Sequence, residues 1–88
     1  MGYQLTFTSK FKKHYKQFPL SLQKKVNSKL KYLSENPAHP SLRTKRIKGS
    51  KGLWESSVNM DVRIIWKYEE SSIILTVDIG HHVVLEKY

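Results

Sequence analysis

Hydrophobic positions change period along this chain, and each change marks an element. From Tyr3 to Thr8, the apolar Tyr3, Leu5 and Phe7 alternate with Gln4, Thr6 and Thr8, the period of a strand with one buried face. Ser9 then stands where an N-cap belongs, and Phe11, Tyr15 and Phe18 recur at helical spacing with Lys10, Lys12, Lys13 and Lys16 between them, which predicts a short basic amphipathic helix. Pro19 interrupts that helix, because proline lacks the N–H and clashes in a helix interior, yet it suits the start of a new one. Leu22, Val26, Leu30 and Leu33 form a second stripe and predict a helix over 20–35. Asn36-Pro37 ends it. Pro37 to Pro40 forms a stiff connection, since a residue before proline is pushed out of helical geometry.

From Leu42 onward the period becomes two. Four runs, Leu42 to Lys48, Leu53 to Val58, Val62 to Tyr68 and Ile73 to Ile79, are rich in β-branched and aromatic residues and predict strands joined by short turns. Short connections predict antiparallel neighbours. The order strand, helix, helix, four strands predicts an α+β chain: an N-terminal strand and a helical hairpin covering one face of a four-stranded antiparallel sheet, in a single domain over residues 1–88. No repeat or low-complexity tract interrupts it.

Composition narrows the class. A chain of 88 residues buries only about 60 to 65% of its unfolded surface, so it holds one small core. It has no cysteine, so neither disulfides nor thiolate metal sites support it, which suits a reducing compartment. No apolar run approaches the roughly 20 residues of a membrane span, and no apolar leader opens the chain, so a cytoplasmic protein without a membrane partner is expected. Charge is one-sided. Through Gly52 there are 13 basic residues and one acid, Glu35, for +12; from Leu53 there are 3 basic residues and 6 acids, for −3. Such a field points to a polyanion or an acidic partner, although a solvated lysine-rich surface gives the same count.

Several local motifs, in order, are His39-Pro40-Ser41-Leu42, Lys45-Arg46-Ile47-Lys48-Gly49, Gly52-Leu53-Trp54-Glu55, Asp61-Val62-Arg63-Ile64-Ile65-Trp66 and Asp78-Ile79-Gly80-His81-His82. At these separations the chain resembles the RelE/ParE superfamily of bacterial toxins, and its RelE and YafQ branches more than its ParE branch. The resemblance implies the toxin of a type II toxin–antitoxin pair: a ribosome-dependent, metal-independent endoribonuclease that cuts mRNA, requires no cofactor, and is silenced by a cognate acidic antitoxin. It also implies roles. Arg63 matches the arginine that contacts the scissile phosphate, His82 the C-terminal histidine used in proton transfer, and His39 a further active-site histidine. Lys45, Arg46, Lys48 and Lys51 fall where basic residues hold the RNA backbone. At its end the chain departs from the family: Val84 and Glu86 stand where an acid and an aromatic are common, and Tyr88 follows two positions late.

The residue types suit that chemistry. Attack of a 2′-hydroxyl on the adjacent phosphate needs proton shuttling and charge neutralisation. An imidazole with a pKa of about 6.5 serves the first, and a guanidinium with parallel donors serves the second. An aromatic such as Trp54, Trp66 or Tyr88 can stack an unpaired base. Plainer roles compete. Arg63 can pair with Glu55 or Glu69, His39 can cap a helix end, Trp54 and Trp66 can be core, and His81 and His82, if on one strand, face opposite ways. His14 carries no role on these grounds. Four histidines without clustered spacing do not fit a structural zinc site. Two further functions share the expected fold and charge: a ParE-like gyrase poison without nuclease activity, and a degenerate relative acting as a nucleic-acid or protein adaptor.

Overall fold

The computed structural model describes residues 2–88. Chain order is β1 (Gln4–Phe7), α1 (Ser9–Lys16), α2 (Leu20–Glu35), a 3-10 turn at Pro40–Leu42, β2 (Lys45–Arg46), β3 (Trp54–Ser57), β4 (Val62–Glu70), β5 (Ile73–His81) and a 3-10 helix at His82–Lys87. This is the α+β order expected. The sheet is mixed: five strands lie in the order β1-β5-β4-β3-β2, with β2 to β5 antiparallel and β1 parallel to β5 at one edge. A parallel pair needs a long crossover, and the chain between β1 and β5 supplies it.

Several boundaries differ from expectation. Thr8 caps α1 in place of Ser9: its backbone is extended, and its hydroxyl accepts from the Phe11 amide at 3.1 Å. The predicted strand from Leu42 shrinks to two residues, because Leu42 is fully buried at the end of the 3-10 turn and Arg43 turns left-handed at φ 48°. A non-glycine residue there breaks the extended run. β4 and β5 instead run on past their apolar patterns to Glu70 and His81. The tail beyond β5 forms a 3-10 helix that the polar–apolar pattern does not announce.

The two faces of the sheet are covered unequally. The helices cover one, where Phe11, Val26 and Leu33 meet Val62, Ile64, Trp66, Ile74 and Ile79. Within this core the Trp66 indole N–H donates to the Ser56 hydroxyl at 2.8 Å, so even its polar atom is satisfied. The opposite face carries a smaller cluster, Ile47, Ile65 and Val84, closed by Leu53, Val77, Leu85 and Tyr88 from the turns and the tail. Gly80 lets the tail close down, since a Cβ there would stand 3.2 Å from the Val84 Cβ.

Candidate active site

Register decides which charged side chains share the thinly covered face. Lys45 lies opposite Glu55, and Glu55 opposite Ile65, so these three project to the same side. Arg63, two residues before Ile65, joins them. Its Nε lies 3.5 Å from the Glu55 carboxylate, with both side chains largely shielded, at 15% and 8% exposure. Its Nη1 donates to the carbonyls of Asn59 at 2.9 Å and Val62 at 3.3 Å. The guanidinium is therefore held in one orientation, and the Glu55 pairing foreseen as the plainer role is present. Deleting Arg63 alone would leave a buried carboxylate unpaired, which costs stability as well as any contact with substrate.

His82 stands at the same end of the sheet. β5 ends at His81, so the two histidines are divided between a strand and the tail helix instead of alternating on one strand. Asp61 joins them: the His82 amide donates to one carboxylate oxygen at 3.0 Å, and His81 Nδ1 lies 2.6 Å from the other. The His82 amide, then His81, with a further contribution from Arg63, hold the Asp61 carboxyl below the usual range. Arg63, Asp61 and His82 thus belong to one neighbourhood, with the His82 side chain exposed.

The structure does not bring His39 to that neighbourhood. His39 stacks on Tyr32 at 4.2 Å, and its Nδ1 accepts from the Ser41 amide at 3.1 Å, capping the 3-10 turn. It lines a cleft of about 350 Å³ with Arg43, Trp54 and Tyr68, and Trp54 packs on the core beneath the helices. The basic residues also divide. Lys45 shares the Arg63 face, whereas Arg46 lies opposite Trp54 with its guanidinium 5.7 Å from the indole ring. Lys48 and Lys51 are exposed in the β2–β3 connection, whose Gly49 and Gly52 both take positive φ. Trp54 is half-buried and stacks on Trp66 at 5.8 Å, so one of its faces is already occupied.

A polar cluster that the sequence does not announce lies at the other side of the tail. Asp78 is fully buried and receives His14 Nδ1 at 2.7 Å, the Tyr88 hydroxyl at 2.8 Å and the Ile79 amide at 2.8 Å. Burial pushes its carboxyl up, but these donors outweigh burial and hold it below the ordinary value. Lys10 Nζ donates to the Tyr88 hydroxyl at 2.8 Å, a contact that raises the lysine pKa. Tyr88, a candidate for base stacking, is thereby tied to α1, and burial followed by Asp78 raises its phenol pKa. The signal available beforehand was an aspartate inside an apolar strand, which needs a partner. Among the described residues no three histidines or carboxylates gather closely enough to ligate one metal ion.

No protein-family profile matches the sequence, and no curated protein matches it significantly. Solved structures do match. RelE in the archaeal RelE–RelB complex from Pyrococcus horikoshii superposes with a TM-score of 0.76 at 14% identity, covering 93% of this chain and 97% of that one. YoeB from Staphylococcus aureus, solved as a dimer, gives 0.76 at 21% identity over 93% and 99%. YafQ from E. coli gives 0.73 at 19% identity over 94% and 97%.

Proposed function

We propose, from a RelE-like fold that spans nearly the whole of this chain and of each toxin it resembles, that the protein is the toxin of a type II toxin–antitoxin pair and an endoribonuclease that cuts mRNA on the ribosome. The observation that carries the reading is Arg63, held by Glu55 and two backbone carbonyls on the thinly covered face, with Lys45 across the sheet and His82 at its end.

As a 2′-oxygen attacks phosphorus, charge grows on the equatorial oxygens, and a guanidinium already fixed in place meets it without reorganising. Lys45, Arg46, Lys48 and Lys51 hold the RNA backbone on either side of β2. His82, exposed beside Asp61, moves the proton. His39, on the other flank, contacts RNA leading to the site. Neither Trp54 nor Tyr88 needs to stack a base for this chemistry, and Trp54 retains an edge for it. No metal or cofactor is required.

An acidic antitoxin silences the protein. The relatives were solved with partners, RelE with RelB, YoeB with YefM and YafQ with DinJ, and the +12 half of this chain favours an acidic segment. Purified protein added to cell-free translation and, separately, to a gyrase supercoiling assay tests the proposal. It predicts message cleavage and arrested translation with supercoiling untouched; blocked supercoiling with intact message would establish the ParE-like alternative.

A further inference from the structure

Tyr68 and Arg43 have no part in the chemistry above, yet they line one cleft together. It holds about 350 Å³ between the end of β4 and the segment that follows α2, and Trp54 and His39 complete its walls. Tyr68 is 45% exposed but held: it meets Trp54 edge-on at 6.1 Å and Trp66 edge-on at 5.0 Å, so a fixed aromatic ring stays open to solvent. The polar side chains on the other wall offer donors. His39 Nδ1 accepts from the Ser41 amide at 3.1 Å, and an amide only donates, so the neutral ring carries its hydrogen on Nε2. Stacking on Tyr32 at 4.2 Å holds that ring in place. Arg43 sits at φ 48°, which glycine or asparagine takes with less strain, so nothing in the backbone calls for an arginine there. Among the described residues no carboxylate pairs with Arg43 or with Arg46. Glu69 and Glu70 lie beyond Tyr68 at the end of β4, so the positive side of the cleft is that of Arg43.

We propose that this cleft binds one unpaired base of a single-stranded RNA, as a subsite apart from the Arg63 face. The base stacks on the open surface of Tyr68 beside Trp54, His39 Nε2–H donates to an acceptor on the base edge, and Arg43 takes the adjoining phosphate. A purely anionic ligand would satisfy Arg43 and leave the rings unused, and a duplex offers no free base to stack. A path joins the cleft to the Arg63 face. β2 is the outermost strand and only two residues long, with Lys45 on the Arg63 side and Arg46 on the side of Trp54, 5.7 Å from its indole ring. RNA can therefore pass around this edge over continuous positive charge. The inference rests on the ribonuclease reading for the identity of the strand, the message. Because the cleft lies away from the reacting atoms, it holds substrate and transition state equally, and so lowers KM without changing kcat.

Adenosine 5′-monophosphate and ribose 5-phosphate carry the same phosphate and differ by the base, which makes them the direct probes. Titrated into the wild-type protein, the first should shift the Trp54 indole N–H and the His39 ring proton signals, and the second should leave both in place. Equal shifts with the two, or none with either, would overturn the inference. Tyr68→Leu and Arg43→Gln should each weaken adenosine 5′-monophosphate binding about 10-fold. Each should also raise KM for message-programmed ribosomes by about the same factor, with kcat unchanged and a cooperative melt retained. Binding and KM equal to wild type in both variants would overturn the inference and leave the ribonuclease reading standing. Shifts at Trp54 and His39 in a protein that cuts no message would keep the base-binding cleft and overturn the ribonuclease reading.

Discussion

The two faces of this sheet are built for different ends. Beneath the helices, Trp66, Ile64, Ile74 and Ile79 are fully buried, and the Trp66 indole nitrogen is satisfied by Ser56. On the other face the apolar cluster is smaller, a short tail replaces the helices, and an arginine–glutamate pair sits among the aliphatic side chains. A face that only had to be stable would not carry that pair, since a buried ion pair gains little over apolar residues of the same volume. The comparison separates the residues that hold the fold from those available for chemistry.

That separation can be broken most severely on the helix side. Trp66→Ala empties the centre of the core and should destabilise by about 3–5 kcal/mol, enough to unfold much of a domain this small. A denaturant midpoint within experimental error of wild type would show that the core lies elsewhere.

Asp78 sharpens the comparison because it ties the tail to α1. Its carboxyl titrates below its unfolded value of about 3.9, so the stability it contributes is fully present above that value and is lost as pH falls through the lower, folded value. Asp78→Asn should therefore melt lower than wild type at pH 7, by about 1–3 kcal/mol for the bonds to His14 and Tyr88. The gap between the two proteins should narrow below about pH 4. Parallel melting curves across that range would mean that Asp78 keeps its proton in the folded chain.

The smallest effects belong to β2 and its turn. Neutralising Lys45, Arg46 or Lys48 singly should leave the melting temperature within a degree or two and reduce the salt dependence of RNA binding, by about one contact each. Because Lys45 and Arg46 lie on opposite faces, only Lys45→Gln should also slow cleavage. An unchanged salt slope for all three would place the strand outside the RNA interface.

How far these features were legible in the sequence depended on the range of the interaction that sets them. The helix over 20–35 is written locally, in an apolar stripe between Pro19 and Asn36-Pro37, and the structure has it at those bounds. β2 is shorter than the period-two run from Leu42 predicts, because the burial of Leu42 depends on packing against distant strands, which pulls 40–42 into a turn. His14 carried no legible role because its partner lies 64 positions away and is reached only when β5 extends past the end of β1, beside α1. Arg63 was legible as a candidate from its motif. Which of the basic residues and histidines share its face required register, and register divides Lys45 from Arg46 and leaves His39 on the other flank.

The central claim is that the Arg63 face performs the chemistry. Since Arg63→Ala alone would strand Glu55, the direct comparison is wild type against Arg63→Ala/Glu55→Gln, which removes the pair together. After brief induction in cells, primer extension on a translated message should show discrete stops with the wild type. With the double variant those stops should fall about 10²- to 10³-fold, while the purified variant melts cooperatively like its parent. Stops of equal intensity from a folded double variant would contradict the account.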